Sequence, residues 1–254
     1  MSNDSVTSRS ARLWDTLYSN PTIGGERVES VPGGVGGNDF LSQVLRARFG
    51  ERANGRALEV GCGPGYQLAV FMTDFSSIEW WGVDVSAAAI AQARERVPAA
   101  RLHVASFADL SVLGNTSFDA ILVPYCFQWN TFASARAAMG ELARHLDIDG
   151  VLALIVRSTS RSVPEAAEIL PDRGVTFRSP LPHEDGGPIH HFTRQELDEI
   201  CGAQELRMLS AFEHRETRDA GEPYLRAPQY AHLSEGLERG WWQCVFARID
   251  AAGS

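Results

Sequence analysis

The sequence contains no lysine; all 23 of its basic residues are arginine. That absence excludes Schiff-base chemistry and the lysine-bearing phosphate loop, because both need an ε-amine. Cysteine is scarce as well. Cys62, Cys126, Cys201 and Cys244 are widely spaced and form no Cys-x-x-Cys pair. They fit reduced thiols of a cytoplasmic protein, and neither a disulfide frame nor a zinc site is expected. No stretch approaches the roughly 20 apolar residues that span a bilayer, so no membrane partner is expected. The polar start, Met1 to Ser10, lacks the apolar segment of a secretory signal. Positive charge is also in deficit, with 23 basic against 32 acidic residues and a net charge of −9 over 254 residues. A field of that sign repels phosphate backbones and argues against a nucleic-acid partner.

What is present reads as a single domain with four parts. Residues 1–55 form a helical cap and a glycine-rich loop, 56–156 a core, 157–192 an insert, and 193–254 the closing helices and strands. Residues 10–18 have the pattern of a short helix carrying Trp14 and Tyr18. The glycine-rich stretch 20–38 follows, and then a helix over 39–49 with Asn38 or Asp39 as its cap. From Ala57 short apolar runs alternate with helical patterns: strands at 57–60, 80–84, 102–105, 118–123 and 151–156, helices at 66–75, 87–96 and 133–146. Continuous apolar strands of this kind suit a parallel sheet buried on both faces. The insert is broken by Pro164, Pro171, Pro180, Pro182 and Pro188, and one short helix is expected over 165–170. Thr193 and Glu196 have the spacing of a capping box. A strand over 206–214, a helix over 228–239 and a last strand over 241–249 complete an expected α/β fold with a doubly wound, mostly parallel seven-stranded sheet.

The informative stretch is Leu58-Glu59-Val60-Gly61-Cys62-Gly63-Pro64-Gly65, placed between a strand and a helix. Glycine lets the backbone turn sharply and approach a ligand closely, and a helix start offers free N–H groups. Asp84 ends the next strand, where a carboxylate can accept both hydroxyl hydrogens of a ribose. The dinucleotide pattern Gly-x-Gly-x-x-Gly requires its third glycine at position 66, which is Tyr66. The pair therefore describes a nucleoside cofactor with an anionic group, and without the dinucleotide fingerprint.

Glycines at 61, 63 and 65 with Glu59 before them resemble the first motif of the class I S-adenosylmethionine-dependent methyltransferases. Trp81-Gly82-Val83-Asp84-Val85-Ser86, Ala105-Ser106-Phe107-Ala108-Asp109-Leu110, Ser117-Phe118-Asp119-Ala120-Ile121-Leu122-Val123 and Leu146-Asp147-Ile148-Asp149-Gly150 resemble the family's later motifs in order. His191-Phe192-Thr193 with Glu196-Leu197 resembles the helix start that follows many small-molecule methyltransferase inserts. The resemblance covers roughly Ala57 to Gly202. It implies a Rossmann-like methyltransferase fold and S-adenosyl-L-methionine as cofactor; residues 157–192 form an insert after strand 5, and Trp14 and Tyr18 belong either to an N-terminal helical lid or to a surface helix docked on the sheet. It further implies cofactor contacts from Tyr18, Glu59, Gly61, Cys62, Gly63, Gly65, Asp84, Val85, Ser106, Phe107 and Tyr125. Ser106 stands where the family commonly has an aspartate for the adenine amine, and a hydroxyl brings no charge there.

Val123-Pro124-Tyr125-Cys126 lacks the Asp/Asn-Pro-Pro-aromatic signature of DNA amino-methylating enzymes and the Pro-Cys of cytosine-C5 enzymes. A small-molecule acceptor, methylated on oxygen or nitrogen in specialised metabolism, is the expectation, in a monomer or homodimer. Tyr125 is a candidate to orient the acceptor or a packed loop aromatic. His183 and His191 are candidate bases, with a solvated loop histidine and a helix-entry residue as the plain alternatives. No metal is expected from these residues. The rivals are a relative that binds the same cofactor for cyclisation or elimination, a protein or RNA methyltransferase, a nicotinamide reductase and a non-enzymatic partner.

Overall fold

The computed structural model describes residues 11–12, 14–16, 18–19, 35–50, 54–179, 187–217 and 238–248. After the helix α1 (Val35–Phe49), strands and helices alternate: β1 (Arg56–Val60), α2 (Tyr66–Asp74), β2 (Glu79–Asp84), α3 (Ala87–Arg96) and β3 (Arg101–Val104). Then come β4 (Phe118–Pro124), α4 (Phe132–His145) and the long β5 (Leu146–Arg157). Three short strands follow, β6 (Glu168–Ile169), β7 (Val175–Arg178) and β8 (Ile189–His191). The helix α5 (Arg194–Gly202) leads to β9 (Leu206–Thr217) and β10 (Glu238–Arg248).

The main sheet has seven strands in the order β3-β2-β1-β4-β5-β10-β9. The first five run parallel, and β10 is antiparallel to both β5 and β9. Period-two alternation sends Leu58, Val60, Ile121, Val123, Leu152 and Leu154 to one face, under α4 and α5. Ala57, Ala120, Leu122, Ala153 and Ile155 meet α1, α2 and α3 on the other. That burial on both faces is why these strands read as unbroken apolar runs.

The helix starts are set by side chains. Ser86 Oγ accepts from Ala89 N at the head of α3, and Thr131 does the same for Ser134 N on α4. On α4, Phe132, Ala135, Met139, Leu142 and Ala143 are buried at helical spacing, opposite an exposed arginine face. The expected capping box of Thr193 and Glu196 is present in both directions.

Several boundaries differ from the sequence reading. Helix α1 begins at Val35, so Asn38 and Asp39 lie inside it and not at its cap. Strand β5 begins at Leu146: Phe118 pairs with Leu146 and Ala120 with Val151, so exposed Asp147, Ile148 and Asp149 bulge out of the ladder between them. The insert holds no helix over 165–170. It forms a three-stranded antiparallel sheet, β6-β7-β8, in which Glu168–Ile169 pairs with Phe177 and Arg178. Strands of two to four residues between prolines show no period long enough to recognise. The expected helix over 228–239 lies outside the described residues up to 237, and Glu238 and Arg239 belong to β10. No helix among the described residues is long and apolar enough to cross a membrane.

Candidate functional site

At the C-terminal ends of β1, β2 and β4, the glycine loop, Asp84 and the residues after Pro124 come together. Gly61 sits at φ +72°, and a Cβ built on it would lie 2.8 Å from Cys126 Cβ. Gly63, at φ +52°, faces the Tyr18 hydroxyl, 3.0 Å from where its Cβ would be. A side chain at Gly61 would clash with Cys126, and at either position it would strain the left-handed backbone. Gly65, also left-handed, precedes α2. Arg96 braces the loop from α3, its guanidinium 3.6 Å from the Tyr66 ring centre and its N–H donating to the Pro64 carbonyl. Position 66 is thus committed to an aromatic stack, not to a third glycine turn.

Asp84 is buried, with both carboxylate oxygens engaged by the backbone. Oδ2 accepts from Gly63 N at 2.9 Å and Oδ1 from Ser86 N at 2.9 Å. Burial raises its pKa, and those backbone donors act against the rise. Glu59 is 2% exposed, and its Oε2 has no hydrogen-bond partner. Burial, and then the negative charge of Asp84, push its pKa well up. Two acidic groups beside the loop oppose a pyrophosphate and suit hydroxyl or cationic donors. Cys62 and Cys126 are pushed up by burial and by the same carboxylates, so both are held as thiols and not as nucleophilic thiolates.

The N-terminal residues cover this loop. Asp15 Oδ1 accepts from Ser86 Oγ at 2.7 Å and from Ala88 N at 3.0 Å, which places a carboxylate at the positive end of α3. Gln92 donates to the Tyr18 carbonyl at 2.7 Å. Tyr18 stacks on Trp14 at 5.9 Å, and Trp14 meets Trp129 edge-on at 5.6 Å. Burial, then Asp84 and Cys62, raise the Tyr18 phenol, which keeps its proton.

Val85, Ser106 and Phe107 are half-buried beside Asp84, whose carbonyl accepts from Ala105 N at 2.9 Å. Ser106 Oγ accepts from Ala108 N at 3.2 Å, and Phe107 lies 6.1 Å from Phe127 between ring centres. Tyr125 has φ 55°, rare for a residue with a Cβ. Its N–H donates to the Ile155 carbonyl, and its own carbonyl accepts from the Gln128 amide. Sequence reasoning therefore brought together Tyr18, Glu59, the glycines, Cys62, Asp84 and their neighbours. It missed Asp15, Gln92 and Gln128, although Trp14-Asp15 followed by Tyr18 at i+4 was a legible signal for the first.

Two of the insert histidines, His190 and His191, lie among the described residues. His183 is outside the described residues. His191 is fully buried on β8, edge-on to Phe177 at 5.0 Å. His190 is fully buried as well: Thr176 Oγ1 lies 2.6 Å from its Nδ1, and Glu196 Oε2 lies 3.6 Å from its Nε2. Thr176 donates on to Asp172, which accepts from Phe132 N at the head of α4. Burial lowers the His190 pKa, against the pull of Glu196 and Asp172.

Residues 57–150 match a family described as "Methyltransferase domain". The chain is 33% identical over 114 residues to a malonyl-[acyl-carrier protein] O-methyltransferase of Bacillus cereus, covering 44% of this chain and 41% of that protein. It is 29% identical over 153 residues to ribosomal RNA small subunit methyltransferase C of Yersinia pestis, 57% of this chain and 43% of that protein. The chain thus spans less than half of the curated relatives it matches. In fold it is similar to a 1,6-didemethyltoxoflavin-N1-methyltransferase of Burkholderia thailandensis, solved with its substrate and S-adenosylhomocysteine. There the TM-score is 0.61 at 15% identity, covering 94% of this chain and 89% of that one.

Proposed function

We propose that this chain, whose residues 57–150 match a methyltransferase domain family, is a class I S-adenosylmethionine-dependent methyltransferase that methylates an oxygen or nitrogen of a small molecule. The observation that carries the cofactor is the orphaned, buried Glu59 Oε2 beside a left-handed glycine cradle. A lone buried acceptor next to Asp84 fits an ammonium group and ribose hydroxyls, the polar ends of S-adenosylmethionine. Asp84 holds the ribose, Glu59 the amino end, and Gly61, Cys62, Gly63 and Gly65 supply close backbone approach. Val85, Ser106 and Phe107 border the adenine, and Tyr18 closes over Gly63 as part of an N-terminal cover.

The bound cofactor supplies an already activated methyl group on a sulfonium. The chain's task is therefore positioning and exclusion of water. Trp14, Tyr18 and Trp129 form an apolar wall at the loop, and Tyr125, half-buried against the core with a left-handed backbone, borders the acceptor. His191 is closed off from solvent and His183 lies outside the described residues; we assign the acceptor-side role to Tyr125. The net charge of −9 and the aromatic enclosure support a small acceptor over RNA.

Calorimetric titration of S-adenosylmethionine into the wild type and Asp84→Ala tests the reading. The variant is expected to bind about 2–4 kcal/mol more weakly, the loss of two charge-assisted hydrogen bonds. Absence of heat from the wild type at concentrations that reveal a millimolar site overturns the cofactor. Release of S-adenosylhomocysteine with ribosomal RNA, and not with small phenols, acids or amines, overturns the acceptor class.

A further inference from the structure

Among the described residues, Tyr125 and Glu205 alone are left-handed without being glycine. Glu205 is exposed, in the turn between α5 and β9. Tyr125, at φ 55°, directly follows β4 and lies next to the glycine loop. Its neighbour Cys126 donates from Sγ to the Val60 carbonyl at 3.3 Å and turns its Cβ to Gly61. A left-handed backbone is unfavourable for a residue with a Cβ and persists only where the surroundings hold it.

The conformation of Tyr125 is set by the two peptide planes that flank it. The first is fixed by β5: Pro124 pairs with Ile155, and Tyr125 N donates to the Ile155 carbonyl at 2.9 Å. The second carries the Tyr125 carbonyl, and the Gln128 amide holds it. Only the N–H side of an amide can face a carbonyl, so this bond orients the Gln128 side chain and leaves its Oε1 without a partner. Gln128 is 3% exposed and is anchored in its turn, because its own carbonyl accepts from His190 N on β8 at 2.9 Å. Trp129 N donates to the Cys126 carbonyl at 3.2 Å, and Asn130 Nδ2 to the Phe127 carbonyl at 3.0 Å, which closes the turn around it. Burying an amide with its oxygen unpaired costs stability. A methionine of the same length would avoid that cost, and what it lacks is the N–H.

We infer that Gln128 is a positioning residue: its N–H holds the second peptide plane of Tyr125, keeps that backbone left-handed and thereby sets where the Tyr125 ring stands on the acceptor side. This rests on the assignment of Tyr125 to the acceptor. Gln128 acts through Tyr125 and carries no proton of the reaction. The insert reaches the site by the same route, through the backbone N–H of His190 and not through its buried ring.

The test compares the full chain with Gln128→Met, both saturated with S-adenosylhomocysteine and labelled with 3-fluorotyrosine. Tyr125→Phe identifies the Tyr125 fluorine resonance among those of the five tyrosines. In Gln128→Met that resonance is expected to shift or split, while the Tyr18 resonance and the S-adenosylhomocysteine affinity stay as they are. The unchanged affinity also reports that the variant is folded, and Gln128→Leu, a second replacement without an N–H, should reproduce the change. In turnover, 3-hydroxybenzoate, catechol and tyramine serve as acid, phenol and amine probes. The kcat of Gln128→Met is expected to fall roughly 10- to 100-fold, with KM for S-adenosylmethionine unchanged. A Tyr125 resonance that stays in place in both variants overturns the inference. So does a kcat that does not fall, or turnover of none of the probes by the wild type. Failure of the wild type to bind S-adenosylhomocysteine removes the methyl-transfer reading as well, whereas binding with an unmoved Tyr125 resonance removes the Gln128 role alone.

Discussion

The glycine loop and the insert both bury charged side chains, but they balance them differently. At the loop, Glu59 keeps an oxygen with no partner, and Asp84 adds negative charge beside it. In the insert, Asp172, Thr176, His190 and Glu196 form one chain of contacts that ties β7, β8 and α5 to the head of α4. A buried acceptor without a donor costs stability in the free protein and is recovered only when a ligand supplies the donor. The insert contacts instead fasten one part of the fold to another, although His190 Nε2, 3.6 Å from Glu196 Oε2, also lacks a hydrogen bond. The loop is therefore built for a ligand and the insert for support.

Variants on the two sides should separate stability from cofactor binding. The largest effect is expected from Phe192→Ala, which empties a fully buried site between Phe127 and His190. It should cost about 3–5 kcal/mol in denaturant unfolding, with S-adenosylhomocysteine affinity retained under conditions where the variant is folded. Gly61→Ala is expected to cost about 1–3 kcal/mol through its left-handed backbone. Unlike Phe192→Ala, it should also abolish cofactor binding in the folded protein; unchanged affinity would break the comparison from the loop side.

A smaller loss, about 1–2 kcal/mol, is expected for Thr176→Val, which removes the hydroxyl between His190 and Asp172. Thermal unfolding measures it, and the cofactor affinity should not move. The pH dependence sharpens the contrast further. Because the folded pKa of His190 is lowered by burial, the unfolded chain takes up the proton first as pH falls. Its stabilising contribution is complete above about 6.5 and is lost below it. Melting temperatures at pH 7.5 and 5.5 should therefore differ more in the wild type than in His190→Gln.

At the loop the pH effect falls on binding. Protonated Glu59 cannot hold a cation, and its raised pKa moves the loss of affinity to a higher pH than the ordinary glutamate value of about 4.3. Affinity for S-adenosylmethionine should rise with pH across that window in the wild type and stay flat in Glu59→Gln.

The sequence revealed the loop because backbone geometry restricts residue type there: left-handed turns against Cys126 and Tyr18 favour glycine, at a spacing that survives as text. It revealed the central strands β1, β4 and β5 for the same kind of reason, since burial on both faces leaves near-continuous apolar runs. The insert stayed hidden because its strands are two to four residues long and are held by contacts with distant elements, as when His190 N bonds to the Gln128 carbonyl. The partners of Tyr18 and Asp15 were hidden likewise. Helical spacing could place Trp14 and Tyr18 on one face but not show that Asp15 meets the end of α3.

What the sequence alone determined is thus the alternating core, the motif that turns from β1 into α2, and the acidic residue at the end of β2. Each depends on local backbone preference or on short-range period. Tertiary structure alone decided which aromatic rings meet beside the glycine loop and which buried acid lacks a partner. Those relations join residues far apart in the chain, and no local preference records them.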